Sequence, residues 1–424
     1  MEPRWFILAD DLTGAADSAI AFARRRVPAR VVWGDARPEE HTDALALAYD
    51  AATRELDAVA AARRHADATR RFLRPGVRLF KKIDSTLRGH PAEEIAAMLD
   101  VILADEPALR VVLAPSFPAT GRTLRAGELR VHGIPLPFTE YWPEGRDASL
   151  ANLVNLIESA GVAAHNLPLA TIRAGASVLR AALVPASARR QAEVAVCDAE
   201  TDDDLARIAS ATLDDDVPTF FIGSAGFAHA LARRVSHAGA PRTKPHRREP
   251  SSRGALIVVG SRAQPSRSAL AALSLVANVQ RISVDDALLG GDPQSAALAA
   301  LAKTAGDWLA AGKDVVVDIA QPDFPRNAGN PQLVLTLARL LAPVARQASA
   351  LVATGGETAA ALLARLGVEG LRLVDEIEPG IPLGLTLGKF SIPAVTKAGG
   401  FGNEECLTRI ISRLRFIRQT GTVA

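Results

Sequence analysis

Short, wholly apolar runs alternate with segments of helical period along the chain, and this rhythm restricts the fold more than any other feature. Candidate strands at Trp5–Ala9, Ala29–Trp33, Ala44–Ala48, Arg78–Ile83, Arg110–Ala114, Glu193–Cys197 and Thr219–Ile222 alternate with candidate helices at Ala15–Arg26, Arg54–Leu73, Glu93–Leu103, Asp203–Thr212 and Gly226–Val235. Strands buried on both faces read as continuous apolar runs, and such alternation builds parallel sheets covered by helices. The rhythm breaks over residues 237–253, HAGAPRTKPHRREPSSR, which has three prolines and no apolar period and reads as a polar linker. It resumes with strands at Ala255–Val259, Val279–Val284, Asp314–Ile319 and Ala350–Ala353, and helices at Pro265–Val276, Ser295–Ala311, Pro331–Gln347 and Glu357–Leu366. The expectation is an α/β protein of two α/β domains, 1–236 and 254–424, with mainly parallel sheets and an interdomain cleft as the natural ligand site.

Composition narrows the function classes. The 424 residues are 48% hydrophobic and 23% charged, which excludes a disordered or collagen-like chain. A net charge of +2 gives no support to a nucleic-acid or membrane-surface partner. Cys197 and Cys406 form no CxxC pair or metal cluster, and no apolar run reaches the ~18 residues of a membrane span. The apolar stretch Trp5–Ala9 is too short, and too soon followed by Asp10 and Asp11, for a signal peptide. A cytoplasmic location is expected. Lysine occurs only seven times against 42 arginines, so a retained lysine is a candidate compact point charge.

The chemistry-bearing segments follow strands. ADDLTGAADS (9–18) sets Asp10 and Asp11 at a strand end, where open α/β sheets bind ligands; helix capping is the bland alternative for either. KKIDSTLRG (81–89) packs Lys81, Lys82, Asp84, Ser85, Thr86 and Arg88 into one turn, which suits a polyhydroxylated anion. PSFPATGRT (115–123) is a loop shaped by Pro115, Pro118 and Gly121 that carries Arg122. In the second half, Gly260–Ser261, Gly355–Gly356 and Gly399–Gly400 lie at strand-to-helix turns, and Lys397 lies beside the last pair. Jointly they make a phosphate cradle, although no Walker A motif is present. Glu376 and Glu378 fit either a Mg²⁺ ligand pair or a surface turn. The chain has no GxGxxG fingerprint, which counts against an NAD-dependent dehydrogenase.

ADDLTGAADS, KKIDSTLRG, PSFPATGRT, ATGGET (353–358), DEIEPGIPLG (375–384) and TKAGGFG (396–402) resemble, in order and over almost the whole chain, the signature segments of the four-carbon acid sugar kinase family. The resemblance implies an N-terminal sugar-acid domain, a C-terminal nucleotide-binding domain, and ATP-dependent phosphorylation of threonate, erythronate or a 3-oxo-tetronate. It implies substrate binding by Asp11, Arg54, Lys82, Ile83, Asp84, Ser85 and Arg88; the residues themselves point to Asp84 or Asp11 as the acceptor of the attacking hydroxyl's proton, Asp84 being preferred because it sits amid cations. It implies ATP contacts at Ser261, Gly355, Gly356, Glu357, Thr358 and Gly400. ATP and Mg²⁺ are the expected cofactors; the metal ligands stay open, as does a homodimer. One departure stands out: where the family carries an acidic residue two positions before Arg54, this chain has Ala52, with Asp50 two positions earlier still. The alternative to a kinase is a sugar-acid binding protein that keeps the fold without the catalysis.

Overall fold

The computed structural model describes residues 4–106, 108–184, 193–235, 247–320 and 331–423. The chain divides into two compact units, Met1–Ala240 and Pro241–Ala424. Residues 237–246 of the expected linker lie outside the described residues, while Arg248 and Ser251 are bonded through their backbone N–H groups to Gly421 and Arg418 at the end of the chain.

The first unit is built on strands β1 (Arg4–Ala9), β2 (Ala29–Trp33), β3 (Ala46–Asp50), β4 (Val77–Lys82) and β5 (Arg110–Ala114). A small antiparallel sheet of β6 (Arg122–Arg125), β7 (Glu128–Val131) and β8 (Ile134–Pro135) follows. The main sheet is completed by β9 (Ala163–Leu167), β10 (Glu193–Cys197) and β11 (Thr219–Gly223). Its order is β2-β3-β1-β4-β11-β5-β10-β9, and every pairing is parallel. The chain steps from β1 to β2 and β3 on one side and then crosses to β4 on the other, so the order reverses beside β1. A reversal of that kind opens a crevice at the carboxyl ends of the strands.

Strand alternation sends successive residues to opposite faces. Trp5 meets Phe22 of helix α1 (Leu12–Ala23) at 5.0 Å between ring centroids. Phe6 meets Phe72 of helix α2 (Ala58–Phe72), also at 5.0 Å. Helix α3 (Pro91–Ile102) lies beside α2. Both faces are therefore covered, which explains the continuous apolar runs.

The second unit carries β12 (Leu256–Val259), β13 (Val279–Val284), β14 (Asp314–Ile319), β15 (Leu351–Thr354), β16 (Val368–Glu378), β17 (Ile381–Gly388) and β18 (Pro393–Lys397). The order β13-β14-β12-β15-β18 is parallel, and β17 and β16 add an antiparallel hairpin. The expected strand at Ala44–Ala48 runs instead over Ala46–Asp50, and the helix expected from Arg54 begins at Ala58 behind an Asp57 cap. Arg54 is thereby released into a loop.

Candidate active site

The loops that follow β1, β3 and β4 lie side by side, because these strands are neighbours in the sheet. They bring Asp11, Arg54, Lys82, Ile83, Asp84, Ser85 and Arg88 to one sheet edge. Asp11 caps α1: the Gly14 N–H donates to its Oδ1 at 2.8 Å and the Thr13 hydroxyl to its Oδ2 at 2.6 Å. Asp10 has a different task. Arg54 donates to Asp10 through Nε (2.7 Å) and Nη2 (3.0 Å), and to Asp11 through Nη1 (2.7 Å) and Nη2 (2.9 Å). The same Nη2 lies 3.6 Å from Asp84. One guanidinium thus ties three carboxylates together.

Arg88 forms a second fork, with Nε and Nη2 donating to the two oxygens of Asp84 at 3.0 and 2.7 Å. The Thr86 hydroxyl and amide donate to Asp84 as well, at 2.5 and 3.1 Å. Burial would raise the Asp84 pKa, but Arg88, Arg54 and Lys82 hold it well below the ordinary carboxylate range. Burial likewise works against ionised Asp10, and Arg54, Lys81 and Lys82 outweigh it. Ile83 points into the core and its N–H donates to Gly223, so its backbone alone is near the site edge.

Among the described residues no guanidinium hydrogen-bonds to Asp17 or Asp50, although the Arg54 charge acts on Asp50 from a distance. Burial pushes each up to about 7, with Asp11 adding repulsion in both cases; Lys82, 3.8 Å from Asp17, only partly offsets it. Neither residue was among the expected site residues, and Asp17 could have been found from its place one turn after Gly14 on α1.

Lys81 and Lys82 diverge as neighbours on a strand must. Lys82 turns toward α1 and Asp17, whereas Lys81 turns to the other face and meets Glu94 of α3 (2.7 Å) and His65 of α2 (2.9 Å). Lys81 therefore does not line the site.

Both loops that carry the arginines contain a non-glycine residue in the left-handed region: Ala52 at φ 50° and Leu87 at φ 59°. Such strain is held where surrounding contacts over-determine it. At position 52 a short acidic residue tolerates the left-handed conformation better than alanine does.

In the second unit the turns after β12, β15 and β18 are neighbours for the same topological reason. A Cβ on Gly260 would lie 2.0 Å from Thr358 Oγ1, and one on Gly399 would lie 2.0 Å from Ser261 Oγ. Gly355 adopts φ 94° and its N–H donates to the Lys397 carbonyl at 2.8 Å. Ser261, Gly355, Thr358 and Gly399 thus form one nest, at the start of helix Gly356–Leu366 with Glu357 in its first turn, and Gly400 adjoins it. Backbone lined up by close-packed glycines at a helix start fits the phosphates of a nucleotide.

Lys397 is fully buried beneath this nest. Its ammonium donates to Ser266 Oγ (3.0 Å) and to the carbonyls of Ala398 (3.2 Å) and Gly399 (3.3 Å), and burial lowers its pKa to about 8. Glu376 accepts from the Gly380 N–H in the β16–β17 turn, and Glu378 pairs with Arg409 of the helix Cys406–Thr420. Among the described residues no group of three His, Cys, Asp or Glu side chains could hold a metal. That does not conflict with Mg²⁺, which is commonly held by one or two carboxylates and the substrate phosphates.

Two family models divide the chain: a sugar-binding N-terminal domain matches residues 5–231 and a nucleotide-binding C-terminal domain residues 256–407. A D-threonate kinase of Cupriavidus necator is 38% identical over 95% of this chain and 96% of its own length. A D-threonate kinase of Bordetella bronchiseptica is 34% identical over 98% of both chains. A D-erythronate kinase of Heliobacterium modesticaldum is 30% identical over 96% of both. A solved Salmonella typhimurium structure that carries a tRNA synthase name superposes with a TM-score of 0.77 at 22% identity, over 96% of this chain and 98% of that one, a likeness of fold alone. Fold and site define an α/β protein of two compact units, with a cluster of charged side chains at one sheet edge of the first and a glycine-lined nest at a helix start in the second. The chain belongs to the four-carbon acid sugar kinase family.

Two outcomes follow from the strained and the uncompensated groups. Ala52→Gly relieves ~1–2 kcal/mol of left-handed strain against the ~0.5–1 kcal/mol entropic cost of glycine. The net is ~0–1.5 kcal/mol, so Tm should hold or rise by up to ~3–6 °C in scanning calorimetry; a lower Tm would contradict the strain. Asp50, with a folded pKa of about 7 against ~4 unfolded, holds its proton longer in the folded chain. Its destabilising effect is absent below about pH 4 and complete above about pH 7. Asp50→Asn should therefore gain in Tm over the wild type at about pH 8 and lose that gain at about pH 4; a pH-independent difference would refute the assignment.

Proposed function

We propose that the chain transfers the γ-phosphoryl group of ATP, with Mg²⁺, to the terminal hydroxyl of a four-carbon sugar acid, with D-threonate the first candidate. The cluster of three carboxylates around Arg54, with the half-exposed Arg88 and with Lys82 beside it, carries the reading. It offers cations for a carboxylate and acceptors for several hydroxyls within one pocket. The names of the relatives support the same choice of substrate. The sugar acid is assigned to residues 1–236 and the nucleotide to 254–424. A cytoplasmic location, where ATP is supplied, goes with it.

In this reading Arg88, braced from behind by Asp84, takes the substrate carboxylate bidentately. Arg54 has its fork occupied by Asp10 and Asp11, so it acts by holding those two carboxylates in place at the sheet edge. Lys82 supplies a compact positive charge where a guanidinium would not fit: a Cβ on Gly14 would already lie 3.0 Å from its Nζ. In the second unit Gly356, Thr358 and Gly400 line the phosphates with backbone and hydroxyl groups, Gly355, whose own N–H is bound to the Lys397 carbonyl, lets them approach the backbone, Ser261 helps to shape the nest, and Glu357 in the first turn of the helix is a carboxylate that would hold Mg²⁺. The metal would neutralise phosphate charge when bound.

Asp84 and Asp11 were the expected proton acceptors. Each already accepts a full set of donors, and Asp84 is held well below its ordinary pKa. Positioning and charge neutralisation therefore carry the catalysis, as a loose phosphoryl-transfer transition state allows.

ADP release with ATP, Mg²⁺ and a panel of tetronates tests the reading; no release with any of them would sink it and favour a non-catalytic binding protein. Asp84→Asn should raise the sugar-acid KM by ~10–100-fold and leave the ATP KM unchanged, because it unseats Arg88 in one unit only. Lys82→Arg keeps the charge and should still lose most turnover; full activity would show that the lysine's shape is immaterial.

A further inference from the structure

Beneath the charged pocket lies a second polar network that the phosphoryl transfer itself does not use. Glu94, in the first turn of α3, is 1% exposed. Its Oε2 receives the fully buried Lys81 ammonium at 2.7 Å, and its Oε1 receives the Thr53 hydroxyl at 2.8 Å. Lys81 also donates to His65 Nε2 at 2.9 Å. Burial and the Lys81 charge push the His65 pKa down to about 4, so the ring is neutral. Its Nδ1–H then donates to the Ala61 carbonyl at 3.1 Å. The chain of contacts joins β4, α2 and α3 and ends on Thr53, the residue before Arg54.

A dry ion pair of this kind adds little stability, since desolvation consumes the Coulombic gain and well-packed apolar residues of the same volume often do as well. What it can provide is a unique geometry. The turn it grips needs one. Ala51 N–H donates to the Ala9 carbonyl, and Thr53 and Arg54 N–H both donate to the Asp10 carbonyl, at 2.9, 2.9 and 3.3 Å. Between them Ala52 is exposed and held at φ 50°. The Ala52 N–H also donates to Asp50 Oδ1 and Arg64 donates to the Ala51 and Ala52 carbonyls, yet relaxation of Ala52 would still swing the following residues. The Thr53 hydroxyl, anchored from the opposite side, blocks that motion.

We propose that Glu94, charge-paired with Lys81, is a positioning residue for sugar-acid binding, acting through the Thr53 hydroxyl to hold Arg54 in register with Asp10 and Asp11. The proposal rests on the reading that the pocket around Arg54 takes the sugar acid. It explains why a threonine stands before the arginine although its side chain is fully buried and turned away from the pocket.

Steady-state kinetics of the full chain with ATP and D-threonate test it, with Arg54→Ala as the reference for the pocket. Thr53→Val keeps the shape and removes the hydroxyl. It should raise the sugar-acid KM by ~10–100-fold while the ATP KM stays within about twofold, and Thr53→Ser should restore the KM. An unchanged sugar-acid KM in Thr53→Val, with a raised one in Arg54→Ala, overturns the proposal. So does an equal rise in both KM values, the mark of a merely structural role. If Arg54→Ala also leaves the KM unchanged, the assignment of the pocket fails instead. Should Thr53→Val not fold, Glu94→Gln takes its place: it keeps shape and acceptor, removes the charge, and must raise the same KM selectively.

Discussion

The Arg54 guanidinium is the interaction on which the sugar-acid unit depends. Parallel strands deliver their loops to one edge, and here those loops bring Asp10, Asp11, Asp50 and Asp84 close together, with Asp17 on the helix below. Like charges at such range cannot all stay ionised in a buried site. Arg54 binds two of them with four hydrogen bonds and lies near a third. Asp10 and Asp84 are held below the ordinary carboxylate range by the arginines and lysines around them, whereas burial pushes Asp17 and Asp50 up to about 7. The site is thus sorted into fixed acceptors and groups that titrate near neutrality.

Arginine and lysine divide the work by shape. The forks Arg54 and Arg88 face carboxylates in pairs of hydrogen bonds, which a point charge could not match. The lysines stand where there is room for a single ammonium. Lys81, Lys82 and Lys397 are buried, and each answers a compact set of acceptors: Glu94 and His65, Asp17, or Ser266 with two carbonyls. Two of the three are props behind a site. Among the described residues these three are the buried lysines, and Arg110 and Arg122 are buried as well.

Much of this was legible along the chain, and the limits are physical. Apolar runs located the central strands, since strands buried on both faces are mostly apolar and carry polar residues chiefly at their ends. The glycine pairs and the KKIDSTLRG turn marked the loops after them. What linear reading could not supply is adjacency. That β1 lies between β3 and β4, and β15 between β12 and β18, decides which loops meet, and these pairings are set by the packing of the whole sheet. Nor could it say which face each lysine takes until the strand was placed. The hairpin β16–β17 escaped notice because its register slips at bulges break any clean alternation. The helix expected from Arg54 starts at Ala58 because three backbone bonds to β1 and Asp10, and the Asp57 cap, compete for the segment and win.

The phosphate nest shows how glycine acts through absence. Its turns approach one another so closely that a methyl on Gly260 or Gly399 would overlap Thr358 or Ser261. The side chains of one turn therefore fill the space left by the glycines of the next, and the backbone donors are held by packing. A buried Lys397 completes the arrangement from below, binding the carbonyls of Ala398 and Gly399 and so orienting the other face of those peptides. Because the lysine donates to the serine and the two carbonyls, its charge would act on a phosphate bound at the nest through those peptides rather than by contact. A cation that both fixes a turn and biases its dipoles needs no direct bond to the ligand to matter for it.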